Sequence, residues 1–382
     1  MNRSQNALRL FLAGDVMLGR GIDQALEHSC DPLLREPYVT DAREYLRLAE
    51  SVNGALGAPL GPEEPWGEVL QLLKEEGAGH FFVNLETAVT NQGTYWPEKG
   101  IHYRMHPENV AVLQAAGVEC CSLANNHAMD FDRSGLEETL SNLEAARIQV
   151  VGAGYDRGDA RKPTFVGAEP TEQDGSGKSR PGAGPLALVA ACFPDSGVPY
   201  LWNAEHERSG VFFLEEPGES AAEAIVDAFR EVPEETPRLL SLHWGGNWGY
   251  EISEKQRRFA RALIESGTVD FIFGHSSHHA KEIELYRDRG IVYGAGDLIN
   301  DYEGIGGHRE YRPELGLLYV VELTRNALLR MEAIPFRRRR FRLERVSGKE
   351  SGFFRRVLSH HGTGPAISVD PDGRLVVELR PS

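Results

Sequence analysis

Cysteine is scarce in this chain: four residues in 382, Cys30, Cys120, Cys121 and Cys192, with no CxxC spacing. That count excludes a disulfide framework and a Cys-type structural zinc site, and leaves buried free thiols as the expected state. Long apolar runs are missing as well. The first, LRLFLAGDVMLG, is interrupted at Asp15, too early for a signal core or a membrane span, and no later run reaches the roughly 20 residues a spanning helix needs. A cytoplasmic protein without a membrane partner is expected. Basic residues are the minority, 41 against 57 acidic, for a net charge of −16. Such a balance argues against a nucleic-acid partner, although a bound metal or a histidine cluster can reverse the field locally and admit an anionic small-molecule or peptide-like substrate. A homo-oligomer is compatible with all of this. With 41% hydrophobic and 26% charged residues the chain has the composition of a folded globular protein.

Short apolar runs alternate with helical patterns. The runs begin at Leu8, His80, Val118, Leu239, Val269 and Ile291, and helical spacing appears near 66–77, 107–116, 135–147, 219–230 and 253–266. This alternation predicts an α/β fold with a parallel sheet, in which functional groups collect beyond the carboxyl ends of the strands. We expect one body over 1–325 with 326–382 as a β-rich, Arg-containing extension packed on it. The Gly/Pro/Ser-rich stretch 168–184 reads as a surface insertion. The run Arg337–Arg340 reads as a charged edge strand in preference to a phosphate patch.

The strand ends carry the chemistry. Asp15 follows the first run, Glu86 the second, Asn126 and His127 the third, His243 the fourth, and His275 and His278 the fifth. Carboxylate, amide oxygen and imidazole without thiolate form a mixed O/N donor set that suits Mn, Fe or Zn better than Mg or Ca. Two such ions about 3.5–4 Å apart can share a bridging carboxylate and activate a water. His279 is given no role. Trp244 and Trp248, beside His243, read either as a substrate wall or as packing under the HWGGNWGY loop, and Gly245, Gly246 and Gly249 either let that loop approach a ligand or serve only its turn geometry.

The blocks GDVMLGR (14–20), NLETAVT (84–90), HYRMHP (102–107), SLANNHAMDF (122–131), GAGYDRGDARKP (152–163), HWG (243–245) and GHSSH (274–278) resemble the CapA family. These capsule and poly-γ-glutamate biosynthesis proteins are similar to calcineurin-like metallophosphoesterases. The resemblance implies a four-layer α-β-β-α sandwich around two divalent transition-metal ions. Asp15, Asn126, His243, His275 and His278 would then be metal ligands, with Glu86 bridging. His127 would be the general acid, and Arg104 would hold an anionic part of the substrate. Met17 stands where the phosphoesterase pattern has histidine, so one ion is expected to be weakly held. Asp297 stands where the family commonly has asparagine, which puts an extra carboxylate near the substrate. The implied function is a metal-dependent hydrolase of phosphoesterase type, with a metal-held hydroxide as nucleophile. Amide or γ-glutamyl hydrolysis or transfer in a biosynthetic pathway is the alternative, and a non-catalytic metal-stabilised subunit of a synthetase complex is the third reading.

Overall fold

Six strands position the site: β1 (Leu8–Val16), β2 (His80–Leu85), β3 (Val118–Ser122), β4 (Arg238–His243), β5 (Phe271–His275) and β6 (Asp297–Ile299). They belong to a computed structural model that describes residues 7–167, 186–359 and 364–379; the expected insertion at 168–184 lies outside the described residues. The architecture is mixed α/β, built on one ten-stranded and one six-stranded sheet.

From Leu10 onward β1 is buried, as its near-continuous apolar run requires of a central strand. In the larger sheet, β2, β3 and Gln149–Val151 follow β1 in parallel on one side, and Leu315–Thr324 pairs with it antiparallel on the other. The short β6 pairs in parallel with the end of β1. In the smaller sheet β4 and β5 run parallel, between Leu186–Cys192 and Arg289–Val292. Register then sets the site. Asp15 stands opposite both Asn84 and Asp297, and His243 stands opposite His275.

Side chains of the smaller sheet alternate between two apolar clusters, as a period of two dictates. Leu239, Phe271 and Phe273 join the large cluster that contains β1 and β2, with the Phe273 ring 6.3 Å from that of Phe82. Leu240, Leu242 and Ile272 face the other way. There they meet the helices Glu219–Ala228 and Glu254–Glu265, which we label α1 and α2. α2 starts at a capping box: Ser253 Oγ accepts from the Gln256 amide, and Gln256 Oε1 accepts from the Ser253 amide. The remaining helical expectations correspond to Val69–Glu76, Pro107–Ala115 and Asp132–Ala145. Among the described residues, four further α-helices, Arg20–Ala25, Arg43–Asn53, Arg157–Arg161 and Lys349–Leu358, fall outside the expected stretches.

After residue 326 the chain adds Ala327–Arg339, Arg342–Arg345, Ile367–Val369 and Leu375–Val377 to the larger sheet. Thr324 pairs with Ala327, so the sheet continues across position 325 without a break. The arginine run is not a uniformly solvated edge. Arg338 is buried, and its guanidinium donates to the carbonyls of Asp297 (2.6 Å), Leu298 (3.1 Å), Pro313 and Leu315 (2.7 Å). All four cysteines are buried and free. Among the described residues no helix is long and apolar enough to cross a membrane.

Candidate metal centre

The strand ends converge. Asp15 is fully buried and accepts from Asn84 Nδ2 (2.7 Å) and from the Ser276 amide (3.2 Å). The same Asn84 amide donates to Glu86 Oε2 (3.1 Å), so one NH2 group holds two carboxylates. Asn125 donates to Asn84 Oδ1 (3.1 Å) and thereby fixes which way that amide points.

Two groups of side chains can hold a metal ion, and Asp15 is common to both. One is Asp15 with His243 and His275; the other is Asp15 with His278 and Asp297. In each, the ligand atoms lie within 4.8 Å of one another and all residues are buried. His243 and His275 bring their Nδ1 atoms to 2.8 Å, and His275 Nδ1 is 3.6 Å from Asp15 Oδ1. The outer nitrogens are tied back, His275 Nε2 to Ser241 Oγ (2.7 Å) and His243 Nε2 to Asn126 Oδ1 (2.9 Å). On the other side His278 Nδ1 is 3.0 Å from Asp297 Oδ1, and Asn300 donates to Asp297 Oδ2 (2.7 Å). Such outer partners orient imidazole and carboxylate ligands towards an ion.

The electrostatics call for a cation. Burial, then repulsion from Asp297, raises the Asp15 carboxyl to about 7. Burial, then Asp15, raises Glu86 well above the carboxylate range. Burial lowers His275 to about 3 and, with help from His275 itself, pulls His243 well down, so both rings are neutral at pH 7, the form that binds a metal. His278 moves the other way: burial lowers it, but attraction to Asp297 and Asp15 outweighs that and raises it. Three carboxylates crowd together here with one imidazole inclined to be charged. Protons or a bound cation can offset such an excess.

His127 sits at the edge of this cluster, its Nε2 3.8 Å from Glu86 Oε1. Asp130 Oδ2 accepts from Nδ1 at 2.7 Å, which leaves the Nε2 lone pair facing the carboxylates. Lys99 donates to Asp130 Oδ1 (2.5 Å) and to the Ile101 carbonyl (3.0 Å), with its ammonium 3.1 Å from His127 Nδ1. Burial, partly offset by Asp130, lowers His127 to about 4. The ring edge meets Tyr103 at 4.3 Å between centroids. Tyr103 and Tyr302 pair their hydroxyls at 3.0 Å, and Tyr302 packs edge-on to His278. The buried Arg20, held by Asp301 and Glu36, lies over the Tyr103 ring at 4.5 Å. Met17 is buried beside Tyr302, whose hydroxyl points at its sulfur at 3.8 Å.

The structure therefore brings together Asp15, Glu86, Asn126, His127, His243, His275, His278 and Asp297, with some parts redistributed. Asp15, and not Glu86, is shared by the two groups, and Asp297, expected to contact substrate, completes one of them. Asn126 faces a histidine nitrogen. Arg104 does not join the cluster: its guanidinium donates to the Gln92 and Gly93 carbonyls and lies 3.5 Å over Phe131. Trp244 is no substrate wall. It is 1% exposed, its Nε1 donates to the Tyr293 carbonyl (3.0 Å), and it packs on Phe193 and Phe259 in the smaller core. Trp248 is half-buried, 5.3 Å from His278 and stacked on His308. Asn84 and Asp130, which lie within the quoted motifs without an assigned role, and Lys99, which no motif contains, also belong to the site. Asn84 lies near the end of β2, two positions before Glu86, which follows the strand, and Asp130 lies three after His127; both spacings were visible in the sequence.

The family model described as bacterial capsule synthesis protein PGA_cap matches residues 9–302. A probable polyglutamine synthesis accessory protein of Mycobacterium tuberculosis is 40% identical over 386 aligned positions, covering 99% of this chain and 97% of that protein. The PGA biosynthesis protein CapA of Bacillus subtilis is 28% identical over 57% of this chain and 52% of its own length. The capsule biosynthesis protein CapA of Bacillus anthracis is 22% identical over 78% of this chain and 61% of its own. The chain belongs to the PGA_cap, or CapA-like, family of bacterial capsule synthesis proteins.

Proposed function

We propose that this protein is a metal-dependent hydrolase of an anionic substrate, and that Asp15 is the carboxylate around which its metal site is built. One observation carries the reading: two buried O/N donor groups share Asp15, and a histidine oriented by its own carboxylate stands beside them. Asp15, His243 and His275 would hold one divalent Mn, Fe or Zn ion, and Asp15, His278 and Asp297 the second. When bound, the ions would supply Lewis-acid activation of water and of the scissile group.

The chain's own residues do the rest. His127 is neutral at pH 7 and offers a lone pair at Nε2, so it first accepts a proton there and then returns it to the leaving group. Asp130 keeps Nδ1 protonated throughout and stabilises the imidazolium formed in between. Asn84 keeps Asp15 and Glu86 in place while that proton moves. Tyr103 and Tyr302 flank His127 and His278 and exclude water from one side.

The relatives' names refer to PGA, polyglutamine and capsule synthesis, and these favour an amide or γ-glutamyl bond as the one broken or transferred. The family's similarity to metallophosphoesterases supports a phosphoester as the second reading, since metal-activated water can attack phosphorus as well as a carbonyl carbon. Both are tested by metal-loaded protein on p-nitrophenyl phosphoesters and on γ-glutamyl p-nitroanilide, beside His127→Asn. Turnover of one class, lowered about 100-fold or more in the variant with metal content retained, is expected. Equal turnover by His127→Asn removes its proton role. No turnover by the wild type on either class favours a non-catalytic accessory subunit.

A further inference from the structure

A second cluster of donors stands at the same ends of the smaller sheet. Lys281, six residues after His275, is 6% exposed, yet among the described residues its ammonium has no hydrogen-bond or ion-pair partner. Asp195 is the carboxylate whose field reaches it, from beyond ion-pairing distance. Gln256, in the first turn of the twelve-residue α2, is 8% exposed. Its Oε1 is committed to the Ser253 cap, which leaves the Nε2 hydrogens to point elsewhere. Both donors aim at one place. A Cβ on Gly245 would stand 3.2 Å from Gln256 Nε2 and 3.9 Å from Lys281 Nζ, and Gly245 takes a φ of +80° that favours glycine.

The Lys281 stem is buried while its unpaired ammonium keeps access to solvent, and there it shares its space with the Gln256 NH2 and the positive end of a helix. All three complement the same chemistry, an oxyanion. The location is contiguous with the metal-competent groups. Ser276 Oγ donates to the Gly245 carbonyl (2.9 Å), while the Ser276 amide donates to Asp15 (3.2 Å).

We propose that Lys281 and Gln256, beneath Gly245, form an anion-binding subsite that takes a carboxylate or phosphate group of the substrate next to the reacting bond. The subsite rests on the hydrolase reading for its purpose but not for its existence. It makes the preferred substrate one with an acidic group beside the scissile bond, and it supplies the anion contact that Arg104, turned away, does not.

The test uses the full chain stripped of metal, because bound metal would itself attract anions. Inorganic phosphate and, separately, acetate are titrated calorimetrically into wild type, Lys281→Met and Gln256→Glu. The glutamate variant keeps an oxygen for the Ser253 cap and replaces the donor by an acceptor. Wild type is expected to bind at least one anion, and each variant to bind it about tenfold or more weakly. The anion preferred distinguishes a phosphate from a carboxylate group. Absence of binding by wild type, or undiminished binding by a Gln256→Glu protein that melts like wild type, overturns the proposal. If Lys281→Met fails to fold, Gln256→Glu decides. Because no turnover is measured, failure of the hydrolase reading leaves this result intact.

Discussion

Asp15→Asn should make the metal-free protein more stable while depriving it of metal. The carboxyl is raised from 3.8 to about 7 in the folded chain, chiefly by burial and then by Asp297. The sign follows from linkage. A raised folded pKa means the proton-bound form is the favoured one, so its stabilisation is complete below about pH 4 and is lost as pH rises to about 7. At pH 8 the charged carboxylate then costs about 4 kcal/mol relative to the neutral form. Asparagine removes that charge but replaces one oxygen by NH2. It can keep the bond from Asn84 or from the Ser276 amide, not both, and leaving one buried donor unsatisfied costs about 1–3 kcal/mol. The net gain expected at pH 8 is about 1–3 kcal/mol, shrinking as pH falls towards 4. Urea denaturation of chelator-treated wild type and variant at pH 5 and pH 8 measures it. Loss of stability in the variant at pH 8 would show that Asp15 is satisfied by the protein alone, and the argument that it awaits a cation would fall.

Removing metal from the wild type should lower its melting temperature more at pH 8 than at pH 5, since protons compensate the carboxylates only at the lower pH; an equal drop at both would contradict the pKa argument. Arg338→Met strands carbonyls at Asp297, Leu298 and Leu315 and should destabilise by about 3–5 kcal/mol in denaturant titration, with a change below 1 kcal/mol refuting its bracing role. Trp244→Phe should lower the melting temperature and leave KM unaltered. Trp248→Ala should raise KM with little effect on melting, and the reverse pattern would restore Trp244 to the substrate wall.

Much of the site was legible because parallel strands end abruptly. Apolar runs such as Leu10–Ala13 and Phe271–Phe273 are buried on both faces, so the first polar residue after each marks a place where the chain leaves the sheet. Asp15, Glu86, His243 and His275 were found that way. What escaped depended on register and direction. The resemblance brought Asp297 near the substrate but not into a metal-competent group with Asp15, because that contact comes from β6 adding to the end of β1, a pairing 282 positions apart in sequence that no local pattern announces. Arg104 shares a motif with Tyr103, yet its neighbour meets His127 while Arg104 itself turns to the Gln92 carbonyl. Trp244 and Trp248 sit in one glycine-rich loop. The first follows the outward face of the smaller sheet into the core; the second reaches His278. The buried Arg338 looked like any member of an arginine run, because the carbonyls it binds belong to β6, to Pro313 and to the start of Leu315–Thr324, 23 to 41 positions away in sequence.

Metal content per chain, after reconstitution with Mn, Fe or Zn, tests the central claim most directly. With Asp15 common to both groups, wild type should hold two ions, Asp297→Ala one, and Asp15→Asn almost none. Full occupancy in Asp15→Asn, or no ion in the wild type, would contradict the account.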